Sequence, residues 1–463
     1  MAQVSDVAGS ERVDDYLARG LEHLWVHTSQ YNELAKDDGM IVVESGEGIY
    51  LTDIKGRKFI DAMSGLWVVA VGHGRTELGE VAKRQMETLS YANSFAYASE
   101  PAIDLATKLA SITPETINKI HFINSGSEAV ETAIRMAKQY HYNRGERRRT
   151  KVIARVGSYH GTTAMALSVN GSAAINKKPF EPLVPGVVHV ENVNCAKCPF
   201  EKTYPDCEVF CARHVEDVIK FHDPETIAAF IAEPISTSNG NWVPADEYWT
   251  TLRETLDRHG ILLIADEVIN GFGRTGEWFG IQHFPIEPDI MTVAKGLTSG
   301  YAPLSAAMAA QHVADAFVGE RKDALAGGIT WGAHPVACAV ALANVEIIER
   351  ERLVENAARV GDHLATQLQE LKSRHRVIAD TRGIGLMHSI ELKKDPEAGI
   401  DFTPDDGLSD LMPKLLKDQG LLMRSGASIS VAPPLVINRE EVDAIVDGID
   451  VAVGNLEREL GLG

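Results

Sequence analysis

Three ionisable residues in this 463-residue chain each follow directly on a short apolar run. Ile231-Ala232 leads into Glu233, Ile264-Ala265 into Asp266, and Val293-Ala294 into Lys295. Continuous apolar runs of this length suit strands buried on both faces. In an open α/β sheet, ligands bind in the crevice beyond the carboxyl ends of the strands. The three positions are spaced by about 30 residues, the length of a βαβ unit, so two acids and a lysine are expected at one crevice. Strand-end charges facing water are the plainer reading of any one of them. A lysine set between an apolar run and Gly296 fits that reading poorly. Held in a dry crevice, its ammonium form is disfavoured and the free amine becomes a nucleophile.

The natural product of such an amine is a Schiff base with an aldehyde. An aspartate nearby suits an aldehyde carrier that has a cationic pyridinium nitrogen; pyridoxal phosphate needs both groups and a phosphate cradle. Asn124-Ser125-Gly126-Ser127-Glu128 follows the strand-like Ile120 to Ile123 and opens a helix with Val130, Ile134 and Ala137 on one face. Gly126 lets the backbone approach an anion, Ser127 offers a hydroxyl, and the helix start offers free N–H groups. The same Ser-x-x-Glu is also an ordinary capping box. Gly157-Ser158-Tyr159-His160-Gly161 has tyrosine where a hydrolase nucleophile elbow needs serine. Its ring is a flat platform suited to stacking on a planar cofactor. Neither G-x-G-x-x-G after that first strand nor G-x-x-x-x-G-K-[ST] occurs, which argues against a dinucleotide or nucleoside triphosphate loop.

The elements that must position these residues follow from the patterning. Ile49 to Asp53 and Lys58 to Asp61 read as a hairpin turning at Lys55-Gly56, and Pro101 begins a helix. From about residue 120 to 310, apolar runs (Ile120 to Ile123, Val152 to Val156, Ile227 to Ala232, Ile261 to Ala265, Ile290 to Ala294) alternate with amphipathic stretches, the pattern of a mostly parallel sheet. Beyond Pro335 come helices over Val336 to Arg350 and Leu353 to Lys372, strands near Gly385 to Leu392 and Ser428 to Val431, and a helix from Glu440. Arg147-Arg148-Arg149 with Lys151 reads as a solvated helix end. The chain is about three times the roughly 150 residues of one domain. Lys+Arg 45 against Asp+Glu 65 gives a net charge of −20. Such a surface repels nucleic acid and anionic membranes. No apolar run approaches the roughly 18 residues of a membrane span, and the polar start shows no secretory signal. A cytoplasmic protein is expected.

Together, Ser125-Gly126-Ser127-Glu128-Ala129, Tyr159-His160-Gly161, Ala265-Asp266-Glu267-Val268 with Gly271-Phe272-Gly273-Arg274-Thr275-Gly276, and Ala294-Lys295-Gly296 resemble a class III pyridoxal-phosphate aminotransferase, over nearly the whole chain. The resemblance implies an α/β protein of PLP fold type I. Its large domain, 72–335, would hold a mostly parallel seven-stranded sheet flanked by helices. A smaller α+β domain, 336–463, would pack with the N-terminal segment 1–71. Lys295 would form the Schiff base and carry the proton between substrate and cofactor carbons, and Asp266 would keep the ring nitrogen protonated. Val268 and Tyr159 would flank the ring, with His160 and Glu233 close by. Ser125, Gly126 and Ser127 would hold the phosphate, helped by Thr330 from a neighbouring subunit, so a homodimer or homotetramer is implied. Trp67, Phe95, Tyr159 and Arg424 are similar to the pocket of the amine–pyruvate (ω-) transaminases, where the arginine pairs with a substrate carboxylate. Arginine suits that task because its fork binds carboxylate bidentately on a long stem.

The implied reaction moves an amino group from a primary amine or ω-amino acid to a keto acid, pyruvate by this reading, in ping-pong order. Taurine or β-alanine as donor is the alternative, as is a same-fold aminomutase or decarboxylase. A scaffold protein, or a nicotinamide oxidoreductase without its glycine fingerprint, fits less of the pattern. Two features depart from the family. Ile329-Thr330-Trp331-Gly332-Ala333-His334-Pro335 keeps the threonine but changes its neighbours, and Cys195, Cys198, Cys207 and Cys211 form a paired cluster. Four thiolates can close a zinc site; free thiols or a labile disulfide are the favoured reading, and no catalytic metal is expected.

Overall fold

Seven short strands of small and branched apolar residues form the central sheet of the computed structural model, which describes residues 2–36, 38–173 and 175–462. Their order across the sheet is Ile117–Ile123, Ser305–Ala310, Ile290–Val293, Leu262–Asp266, Ile227–Ala232, Lys151–Arg155, Val187–Val190. Ser305–Ala310 runs antiparallel to both its neighbours; the other pairings are parallel. The expected mostly parallel sheet is therefore present. Every residue of Ile227–Ala232, Leu262–Asp266 and Ile290–Val293 is buried, as continuous apolar runs between two helical layers require. Ile227–Ala232 has the expected edges, and the other expected strands differ by one to three residues. Val187–Val190 and Ser305–Ala310 had no counterpart in that reading. The second is Ser-Ala-Ala-Met-Ala-Ala, whose alanines have little strand preference of their own; placement between two strands decides its conformation.

The hairpin Tyr50–Asp53 and Lys58–Asp61 forms as expected. It joins Val43–Glu47 and, from the far end of the chain, Leu421–Leu422 in one four-stranded sheet. The C-terminal part builds a three-stranded sheet, Ile378–Ile384, Met387–Leu392 and Ser428–Val431, against helices Leu353–Arg374 and Arg439–Glu459. Pro335 occupies the first turn of the helix Pro335–Arg350 and Pro101 that of Glu100–Ile112, positions where a missing N–H costs nothing.

The basic run is solvated only in part: Arg147 and Arg148 are exposed as expected, but the run is not a helix end. The helix Gly126–Asn143 stops before it, and the Arg149 side chain is mostly buried. Arg149 pairs with Glu146 and donates to the carbonyls of Pro224, Ile227 and His259. Lys151 begins a strand and donates to the His222 carbonyl. Arg149 and Lys151 satisfy carbonyls of helix ends, a 3-10 turn and a strand start near the amino ends of the strands. Among the described residues no helix is long and apolar enough to cross a membrane.

Candidate active site

Sheet order makes neighbours of the three strand ends. Ile227–Ala232 lies beside Leu262–Asp266, which lies beside Ile290–Val293, all parallel. Glu233, Asp266 and Lys295 therefore emerge on one edge. With Ser125, Gly126, Ser127, Tyr159, His160 and Val268 they line a single cavity of about 180 Å³. Leu66, Gly161, Ile269 and Ala294 complete it.

Lys295 sits in a tight turn with φ of +43°, a left-handed conformation that costs a lysine energy and clusters at functional sites. The turn is held by N–H groups of Thr298 and Ser299, which donate to the Lys295 carbonyl. Burial brings its amine down to about 8, against the opposing pull of Asp266 and Glu233. Among the described residues it forms no ion pair, so the amine is free to react.

Asp266 is held on both oxygens. Oδ1 accepts from the Thr292 hydroxyl at 3.0 Å and the Val268 N–H at 3.1 Å. Oδ2 lies 2.6 Å from His160 Nδ1. The three contacts fix the carboxylate's direction. His160 is buried, and its Nε2 has no partner among the described residues. Glu233 is buried as well, and burial raises its carboxyl, with His160 and Arg155 opposing. Its oxygens accept from N–H groups of Tyr159, Thr237 and Ser238. Arg155, fully buried, donates to the Glu233 carbonyl.

Asp-Glu-Val divides its work by side. Glu267 points away from the cavity and accepts from the N–H groups of Gly280 and Ile281 at 2.9 and 2.7 Å. Burial pushes its carboxyl up to about 8.

The capping box at Ser125 is real. Ser125 Oγ accepts from the Glu128 N–H, and Glu128 accepts from the Ser125 N–H. It leaves the first-turn N–H groups of Gly126 and Ser127 without an intrahelical acceptor, at the cavity wall. A Cβ on Gly126 would stand 3.0 Å from a Val268 methyl, and one on Gly161 would stand 2.5 Å from Ser127 Oγ. The cradle thus admits a ligand only because these two positions lack side chains. N–H donors at one end, a fixed carboxylate at the other, an amine between and the Tyr159 ring on a wall fit pyridoxal phosphate.

The other expected residues lie outside the cavity lining. Trp67 is buried, with its ring centre 5.9 Å from Lys295 Nζ. Arg424 is exposed but close enough to Tyr159 to offset part of the burial that raises that phenol. Phe95 and Thr330 stand on the surface, and the Tyr91 hydroxyl donates to the Thr330 carbonyl at 2.6 Å. The cysteines are all free thiols, and among the described residues no group of three or more His, Cys, Asp or Glu is arranged to hold a metal. Burial pushes Cys211 up to about 11, so it is a thiol and not a thiolate. The sequence reading overlooked Thr292, which buttresses Asp266, and Arg155. The signal was available for both: Thr292 is the lone polar residue of its strand, and Arg155 closes the apolar run Val152-Ile153-Ala154.

Comparison with known proteins agrees with this geometry. Residues 33–453 match the family described as aminotransferase class III. The putrescine–pyruvate aminotransferase of Pseudomonas aeruginosa is 37% identical, covering 93% of this chain and 94% of its own. The taurine–pyruvate aminotransferase of Bilophila wadsworthia is 35% identical, covering 97% and 99%. The solved ω-transaminase of Pseudomonas jessenii in complex with PMP superposes with a TM-score of 0.91 at 35% identity, covering 96% and 99%. The chain belongs to the class III aminotransferases.

Proposed function

We propose that this enzyme moves an amino group from a primary amine or ω-amino acid to pyruvate in two half-reactions, with pyridoxal phosphate held in the crevice by Ser125, Gly126, Ser127, Tyr159, His160, Glu233, Asp266, Val268 and Lys295. The observation that carries the reading is the Lys295 amine, lowered by burial and without an ion pair among the described residues, sharing one cavity with the triply held Asp266. Pyridoxal phosphate, when bound, supplies an aldehyde that condenses with amines and a cationic ring that takes up the electron pair left by a departing proton. Asp266 would keep a proton on the ring nitrogen. Lys295 Nζ takes the proton from the donor's carbon and returns one to the cofactor side, a task suited to an amine whose burial leaves it partly neutral near pH 7. Gly126 and Ser127 anchor the phosphate through N–H and hydroxyl groups. Tyr159 and Val268 exclude water from the two ring faces. Trp67, Phe95 and Arg424 shape the donor pocket, Arg424 meeting the acceptor's carboxylate.

The working unit is a homodimer in which Thr330 reaches the partner's cradle. Support comes from the surface that carries it: Phe95, Tyr97 and Trp331 are 68%, 66% and 62% exposed. Aromatic exposure on that scale marks an interface. The shared sheet of Lys58–Asp61 and Leu421–Leu422 supports an organisation in which segment 1–71 packs with a small unit 336–463 beside a large unit 72–335.

The test is incubation of the cofactor-loaded protein with pyruvate and a donor panel: an arylalkyl amine, a diamine, taurine and β-alanine. Alanine should form with at least one donor and not with Lys295→Ala, whose circular dichroism should match the wild type. Carbon dioxide or a rearranged amine in place of alanine would assign the protein to decarboxylase or aminomutase chemistry instead.

A further inference from the structure

Arg274 lies behind the substrate wall; among the described residues it forms no ion pair, and Asp61 acts on it only at longer range. Its side chain is 3% exposed, and burial brings its guanidinium down to about 10. Nη1 donates to the carbonyls of Leu386 at 3.1 Å and Pro433 at 2.5 Å, and Nη2 donates to Ser64 Oγ at 2.9 Å. A buried guanidinium is costly without compensation. Here the compensation comes from three segments that are far apart in the chain.

Those bonds meet at a strained turn. Ser64, Gly65 and Trp67 have φ of 44°, 67° and 56°. Gly65 adopts that region freely; the serine and the tryptophan do not, and such conformations persist only where the surroundings over-determine them. Ser64 Oγ accepts from Arg274 and donates to the Ala432 carbonyl. The Asp61 carboxylate accepts from the Gly65 N–H. The turn delivers Leu66 to the cavity and the Trp67 indole to a cluster with Met63, Ala432, Ile269 and Met423, near the Lys295 amine.

We infer that Arg274 is a positioning residue for donor specificity: by tying Ser64 to the Pro433 carbonyl it fixes the Leu66-Trp67 wall at the reacting amine. The wall meets the donor and not the electron sink, so loss of the tie weakens amine binding while leaving the proton transfers in place. The kinetic part of this inference rests on the proposed reaction; the structural part does not.

Ser64→Ala removes the hydroxyl shared by Arg274 and Ala432 without touching the cavity. In the cofactor-free protein, hydrogen exchange should quicken at least tenfold at Val68 and Val69, whose N–H groups donate to the Ser64 carbonyl, and stay unchanged in the central strands. In the holoenzyme, KM for an arylalkyl amine should rise at least tenfold, with kcat and the KM for pyruvate within threefold. Arg274→Lys, which keeps the charge but loses the fork, should raise the amine KM alike. The double variant should add nothing beyond either single change, because both break one tie. Unchanged exchange at 68–69, a fall in kcat at steady KM, or additive effects would each overturn the inference. Were the wild type to make no alanine at all, the functional reading would fall while the exchange result still decided the tie.

Discussion

Lys295 should titrate far below an ordinary lysine even in the cofactor-free protein. The perturbation is pH itself, with Asp266→Asn and Glu233→Gln as companions. Burial lowers the amine from 10.5 to about 8, while the two acids pull the other way. At pH 7 about one amine in ten is then neutral, against about one in three thousand for an unperturbed lysine, a gain of about 300-fold in nucleophile. Pulse labelling with isotope-coded acetic anhydride across pH 6 to 11, followed by peptide mass spectrometry, reads the midpoint at position 295 alone. It should fall near 8, and each companion substitution should move it lower, since an acid supporting the ammonium has been removed. The linkage has a definite sign. A lysine lowered in the folded state penalises folding by about 3 kcal/mol below pH 8, and the penalty fades as pH rises to 10.5. Lys295→Met should therefore stabilise the cofactor-free protein at pH 7 and lose that advantage by pH 10.5 in urea unfolding. A midpoint at or above 10, or an upward move in Asp266→Asn, would refute the argument that burial outweighs attraction at this site.

Thr292→Val keeps the shape of a buried strand residue and deletes one hydrogen bond to the Asp266 carboxylate. A bond to a charged acceptor contributes about 1.5 kcal/mol or more, so pyridoxal phosphate should bind the cofactor-free protein about tenfold more weakly by absorbance titration. A change under twofold would remove Thr292 from the site. Trp331→Glu places a charge on the exposed aromatic surface beside Thr330. Sedimentation velocity should show the dimer replaced by monomer with loss of transamination, whereas an unaltered active dimer would put the interface elsewhere.

The sequence and the structure divide the explanation by range. What a strand-end dipeptide needs is local: an apolar run, then Glu233, Asp266 or Lys295, with glycine where a phosphate must come close. Those features survive in a linear reading, and so did the order of the nine motif residues that line the crevice. Phe95 and Thr330 were legible as motif members, but a single chain leaves them on its surface. The alanine-rich strand Ser305–Ala310 was invisible because neither its period nor its propensity distinguishes it. Arg149 was misread because exposure was inferred from charge, whereas carbonyls from two segments, Pro224 with Ile227 and His259, surround it.

Residue identity by itself determined the chemistry on offer: an amine nucleophile, an acid for a heteroaromatic nitrogen, donors for a phosphate. Only the tertiary structure decided that burial lowers the Lys295 amine to about 8, that Asp266 is held from three sides, and that Arg274 reaches back to Ser64. Burial and hydrogen-bond satisfaction are sums over atoms contributed by distant segments, so no window of sequence contains them.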